Sequence, residues 1–228
     1  MKLRLLSLLL ALTLVLSLLP VGVAAADENN IVDYLGMSFN KSTGIIEKCT
    51  SSASSLVIPS QIEGETVVGI KAGAFVSSSV GSVTIPDTVE TIGDNAFDGC
   101  TSLTTVILQD GASTTKTPLS IGARAFASTG LNSIVLPTRV GSIGNHAFMD
   151  SALSSVVVQQ GVNTFGTNVF LGCTKLTIAV VPGMKITSNP FVGCKDLKII
   201  HYLGTVKLDI TDLDPEIKIH YAGVVPNG

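Results

Sequence analysis

The residues of this chain best equipped for chemistry are four cysteines and three histidines. The thiols could pair as a disulfide or hold zinc, and the imidazoles could hold a metal or titrate near neutral pH. Their spacing supports little of this. Cys49, Cys100, Cys173 and Cys194 are scattered, with no C-x-x-C and no cysteine–histidine pairing, so no metal site is expected. His146 stands alone. His201 and His220 each precede a tyrosine, but no carboxylate lies beside them at ligand spacing. The chain has no G-x-S-x-G, no H-E-x-x-H and no P-loop. Its acidic residues are dispersed through turn-like segments, where they suit solvent. No catalytic residue, metal or cofactor is expected.

What positions these residues is a repeat. Phe75, Phe97, Phe126, Phe148, Phe170 and Phe191 follow one another at separations of 22, 29, 22, 22 and 21 residues. A period near 22 means a stacked solenoid, in which each unit buries its apolar residues only against its neighbours. Each unit opens with an L-x-x-V-x-I frame, as in Leu103, Val106 and Leu108 or Leu153, Val156 and Val158. The alternation predicts a short strand with one buried face. Pro59, Pro86, Pro137 and Pro182 follow the strand and end its pairing. The second half carries Ile92, Ile121, Ile143 or Phe165 five residues before its phenylalanine, and Ala74, Ala96, Ala125 or Ala147 directly before it. Gly93, Gly122, Gly144 and Gly166 suggest a sharp bend. This half reads as a return path with a turn or short helical twist.

The repeat places the candidates. Cys100, Cys173 and Cys194 each follow a repeat phenylalanine by three residues. Cys100 is three rungs from Cys173, roughly 14 Å at ~4.8 Å per rung, beyond the ~7 Å limit for a disulfide. Cys173 and Cys194 lie on adjacent rungs; they read either as a disulfide or as small buried hydrophobes. The outward residue of each strand forms a column of Val57, Thr84, Ile107, Val135, Val157, Val180 and His201. Five of these seven are Val or Ile, so the column is either an apolar binding stripe or plain β-propensity. Two long spans, between Ile58 and Ile70 and between Leu108 and Ile121, leave the same edge of the stack. The second is polar, and Gln109, Asp110, Ser113, Thr114, Thr115 and Lys116 suit contacts with a partner, although neutral loop growth would look the same.

The unit from Val80 to Cys100, with Val83, Ile85, Pro86, Val89, Ile92, Gly93, Ala96 and Phe97 in frame, resembles the BspA-type leucine-rich repeat family of bacterial secreted and surface proteins. The resemblance spans about 56 to 202. It weakens late, where Phe165 stands for Ile and Val169 and Pro190 stand for Ala. It implies an α/β leucine-rich-repeat solenoid: a right-handed curved stack of about seven rungs, with a parallel β-sheet on the concave face and short turns or helical twists on the convex side. The expected organisation is a signal peptide over 1–26, a hairpin-like N-terminal cap over 27–55, repeats over 56–202, and a C-terminal cap with a last strand over 203–228.

Residues 1–26 have a basic start at Lys2 and Arg4, an apolar run from Leu5 to Leu19, and Ala24, Ala25 and Ala26 before Asp27. This is the pattern of a secretory leader, with an apolar run shorter than the roughly 20 residues of a membrane span. Without Lys2 and Arg4 the chain holds 12 basic and 17 acidic residues, a net charge of −5. That balance disfavours nucleic acid. The expected protein is extracellular, with no stable membrane insertion after cleavage. It is expected to be a non-catalytic binder of a protein or glycan through the concave sheet and the loop 109–117. The alternative is a structural module that self-associates.

Overall fold

A computed structural model describes residues 30–111, 117–186, 188–205, 207–208, 210 and 212–222. The leader segment and Ser113, Thr114, Thr115 and Lys116 lie outside the described residues. The structure opens with an antiparallel meander of β1 (Ile31–Tyr34), β2 (Met37–Asn40) and β3 (Ile45–Cys49). Then come β4 (Ser55–Val57), the small hairpin β5 (Gln61–Ile62) and β6 (Glu65–Thr66), and β7 (Gly69–Ile70). The regular stack continues as β8 (Ser82–Ile85), β9 (Thr91–Ile92), β10 (Thr105–Leu108), β11 (Leu119–Ile121), β12 (Ser133–Leu136), β13 (Val140–Ile143), β14 (Ser155–Val158), β15 (Thr164–Phe165), β16 (Ile178–Val181), β17 (Ile199–Tyr202) and β18 (Lys218–Tyr221).

Each rung contributes one longer strand to a first parallel face, formed by β4, β8, β10, β12, β14, β16, β17 and β18. The alternating frame explains these strands: Val83 and Ile85, Val106 and Leu108, and Ile134 and Leu136 are buried while the residues between them face out. The solenoid with parallel sheets is as the resemblance implied. The return half carries the expected turn, without the alternative helical twist. It is a two- to four-residue strand followed by a turn, and β7, β9, β11, β13 and β15 form a second parallel sheet continuous with the N-terminal meander. No helix is assigned as α among the described residues. The neighbouring rung selects the extended form by offering hydrogen-bond partners in register, as in Gly93 N to Ile70 O at 2.9 Å.

The phenylalanines make a spine. Successive rings from Phe75 to Phe170 stack with centroids 4.6, 5.2, 5.3 and 5.6 Å apart, and Phe191 continues at 5.6 Å. These distances follow the ~4.8 Å spacing between strands. Each ring from Phe75 to Phe170 is bracketed by two residues in the left-handed region, whereas Phe191 has only Gly193 after it. Two positions before it stand Gly73, Asn95, Arg124, His146 and Asn168; two positions after it stand Ser77, Gly99, Ser128, Asp150 and Gly172. These residues supply the bend assigned above to Gly93 and its equivalents. Gly93 serves a different purpose: a Cβ there would lie 2.4 Å from the main-chain nitrogen of Ala72 in the preceding rung. Its φ is ordinary, and glycine is required by the close approach of rungs.

The phenylalanine N–H donates to the carbonyl of the residue before the next phenylalanine, as in Phe97 to Ala125 at 2.8 Å and Phe148 to Val169 at 2.9 Å. A carbonyl is available from any residue type. Val169 and even Pro190, which accepts from Phe170 at 2.9 Å, therefore keep the stack going where the alanine of the frame is lost.

Candidate functional site: a break in the long-strand face

The outward column is real but discontinuous. Val57 pairs with Thr84, and Thr84 with Ile107. Beyond a gap, Val135 pairs with Val157, Val157 with Val180, Val180 with His201, and His201 with His220. Between Ile107 and Val135 there is no ladder. β10 ends one sheet and β12 begins another. The strands start together, where Asn132 N donates to Thr104 O at 3.4 Å, and pairing stops there.

The long span between β10 and β11 sits at this break. It is the one place where consecutive phenylalanines are 29 residues apart. Its return strand is also disturbed, because the pairing of β11 with β13 slips register between Leu119 and Ser120. Pro137 contributes. Gln109 and Gln159, at the equivalent position of their rungs, donate their N–H groups to Ile85 O and Leu136 O at 3.0 and 3.1 Å. Pro137 has no N–H to offer Leu108. Pro182 stands at the same position in an unbroken ladder, so the longer span is what separates the sheets.

Arg139 fastens the start of that span to the stack. Its Nε donates to Gln109 O at 2.6 Å, its Nη1 to Val89 O at 2.8 Å and its Nη2 to Pro86 O at 3.3 Å. One guanidinium thus ties carbonyls from two preceding rungs. Burial pulls its pKa down, while the Asp110 and Asp87 carboxylates act in the opposite direction. Thr138 Oγ1 donates to Asp110 Oδ2 at 3.3 Å across the same gap. The importance of Arg139 escaped the sequence reading. Its only signal there was a basic residue in the post-strand turn that follows the longest repeat interval.

The break forms a cleft of about 450 Å³ lined by Ile107, Asp110, Ser133, Val135, Pro137 and Gln159 among others. Ile107 and Val135 are each 53% exposed, whereas Thr84, Val157, Val180 and His201 are half-buried. Val57 is 59% exposed at the N-terminal end of the face. The cleft therefore unites the centre of the column with Asp110 of the polar span; Gln109 is not part of its lining. It does not include Val57, Val180 or His201.

The other candidates fall elsewhere. His201 and His220 meet edge to face, with ring centroids 5.0 Å apart, at the C-terminal end of the same face. No group of three metal-ligating side chains occurs among the described residues. His146 lies in the return turn, beside the amide of Asn168 at 3.5 Å. The four cysteines carry free thiols, and Cys100, Cys173 and Cys194 are buried. Among the described residues, no helix is long and apolar enough to cross a membrane.

The family model for the BspA type leucine-rich repeat region matches six copies over residues 68–198. A leucine-rich repeat protein of T. pallidum is 32% identical, over 73% of this chain and 77% of its own, with a TM-score of 0.64. A leucine-rich repeat protein of Bacteroides capillosus is 26% identical over 57% of this chain and 98% of its own, with a TM-score of 0.44. No curated protein matches the chain.

Proposed function

From the premise that this chain belongs to the BspA-type leucine-rich repeat family, we propose that it is an extracellular, non-catalytic recognition protein that binds an extended protein segment at the break between β10 and β12. The cleft itself carries this reading. A continuous parallel sheet uses its main-chain groups in its own ladder and presents a flat surface. Here two facing strands leave the ladder open beside two exposed aliphatic side chains, Ile107 and Val135. An extended peptide supplies what such a site lacks: alternating main-chain donors and acceptors, and an aliphatic side chain to cover Ile107 and Val135. The volume suits one or two residues of a partner. The described lining has no aromatic ring, so a sugar ring finds no stacking platform there. The leader-like segment 1–26 supports the extracellular placement.

Biosensor binding of the purified protein to immobilised matrix proteins and, separately, to glycans tests the reading. Ile107→Lys and Val135→Lys are expected to weaken a protein ligand at least tenfold, about 1.4 kcal/mol, with unchanged circular dichroism. Val57→Lys, outside the cleft, is expected to leave it unchanged. Protein ligands that bind equally well to all three variants would sink the assignment. Self-association that Val57→Lys abolishes would favour the alternative role as a structural module.

A further inference from the structure

Three residues after each repeat phenylalanine runs a column of Ser78, Cys100, Thr129, Ser151, Cys173 and Cys194. Its thiols share one orientation. Cys100 Sγ donates to Phe75 O at 2.9 Å, Cys173 Sγ to Phe148 O at 3.1 Å, and Cys194 Sγ to Phe170 O at 3.1 Å, always in the preceding rung. Each thiol therefore points back towards the preceding rung. Ser151 Oγ and Cys173 Sγ show the result, lying 3.3 Å apart. Cys194 follows Cys173 in the column as Cys173 follows Ser151, and its thiol is aimed at the carbonyl that also accepts the Cys173 N–H.

We propose that Cys173 and Cys194 are a disulfide-forming pair that locks the last two phenylalanine rungs together when the protein meets a disulfide oxidant. Neighbouring rungs ~4.8 Å apart fall inside the ~4.4–6.8 Å Cα separation that a disulfide requires. Cys100 has Ser78 and Thr129 as its column neighbours, so no thiol adjoins it within the column; the thiol that acts on it electrostatically is Cys49. Cys49 belongs to the N-terminal meander.

Cys194 is the entry point. It is 8% exposed, against 0% for Cys173. It also lines a cleft of about 440 Å³ together with Phe191, Leu213 and Ile217 of the C-terminal segment. The chemistry is two exchanges. The Cys194 thiolate attacks one sulfur of a small disulfide RSSR, forming a mixed disulfide and expelling RS⁻. The Cys173 thiolate then attacks Cys194 Sγ, forming the intramolecular bond and expelling the second RS⁻. The two protein thiols lose two electrons, RSSR gains them, and the two protons end on the released RSH molecules. Contact between the two thiols holds Cys173 below the usual thiol range and pushes Cys194 up. Both exchanges need a thiolate, so the oxidation quickens as pH rises.

The experiment is exposure of the folded full chain to oxidised glutathione, followed by denaturation, alkylation and peptide mass spectrometry. Cys173 and Cys194 peptides are expected to be cross-linked, with Cys100 fully alkylated. Tm is expected to rise by about 5–10 °C, the scale for closing a loop of roughly twenty residues, and to fall back on reduction. Cys173→Ser should fold, because serine already occupies this column at Ser78 and Ser151. It should show no cross-link and no Tm rise, and should retain glutathione on Cys194. The proposal is overturned if Cys173 and Cys194 both remain alkylatable while Cys49 has taken up glutathione, or if Tm rises equally in Cys173→Ser.

Discussion

A single turn position shows how this protein makes a repeat from unlike residues. Two residues before the ring, Gly73, Asn95, Arg124, His146 and Asn168 all adopt positive φ. Glycine, asparagine and histidine tolerate that region better than most residues. Arg124 is compensated by its ion pair, Nη2 to Asp98 Oδ2 at 3.1 Å. The column of Ser78, Cys100, Thr129, Ser151, Cys173 and Cys194 is likewise mixed in name: all are small, and the three cysteines donate to a carbonyl of the preceding rung, whereas Thr129 donates to Phe126 O of its own. Burial pushes the Cys100 thiol up to about 11 from an ordinary 9.0. A thiol whose folded pKa is raised favours the protonated form in the fold. Its contribution is complete below about pH 9 and is lost as pH rises from there towards 11. Urea titrations between pH 8 and 11 should lose on the order of 2 kcal/mol on this account. Cys100→Ser should give a shallower decline, and an identical decline in the variant would contradict the assignment.

At the scale of elements, the informative unit is the span between β10 and β11 with its clamp. Arg139 crosses from the start of β13's rung to Gln109, Val89 and Pro86. Replacing it leaves two partly buried carbonyls, of Val89 and Pro86, and the exposed carbonyl of Gln109 without that donor. Arg139→Leu is expected to cost about 2–3 kcal/mol. The same change should speed hydrogen exchange in β10 and β11 while leaving β16 and β17 as slow as before. Uniform acceleration along the stack would instead mean that Arg139 supports the whole fold. The strands of the long face were legible residue by residue, because burial of every second side chain imposes a period of two on the sequence. The return strands were not. Two apolar residues five apart are compatible with a turn, a helical twist or a short extended segment, and only the neighbouring rung chooses among them by offering hydrogen-bond partners in register.

At the scale of the whole molecule, stability is a sum over rungs and the contacts between neighbours. The break at β10 and β12 removes one such contact from one face. The short-strand sheet, β9 to β11 to β13, and the stack of Phe97, Phe126 and Phe148 continue across it. Native-state hydrogen exchange should therefore resolve two protection levels on the long face. One belongs to β4, β8 and β10, and the other to β12 through β18. A single level would show that the phenylalanine spine alone couples the two halves.

The amino-acid sequence by itself determined the repeat, the solenoid, the buried residues of each long strand and the placing of the cysteines on shared columns. All of these follow from side-chain identity at a fixed period, and each rung repeats the evidence. Only the tertiary structure decided that the outward column is cut in two, that Ile107 and Val135 stand at the cut beside Asp110, and that Arg139 holds it. Such facts depend on how a longer connection shifts one rung against the next. That shift is a property of two rungs packed together, and neither sequence contains it alone.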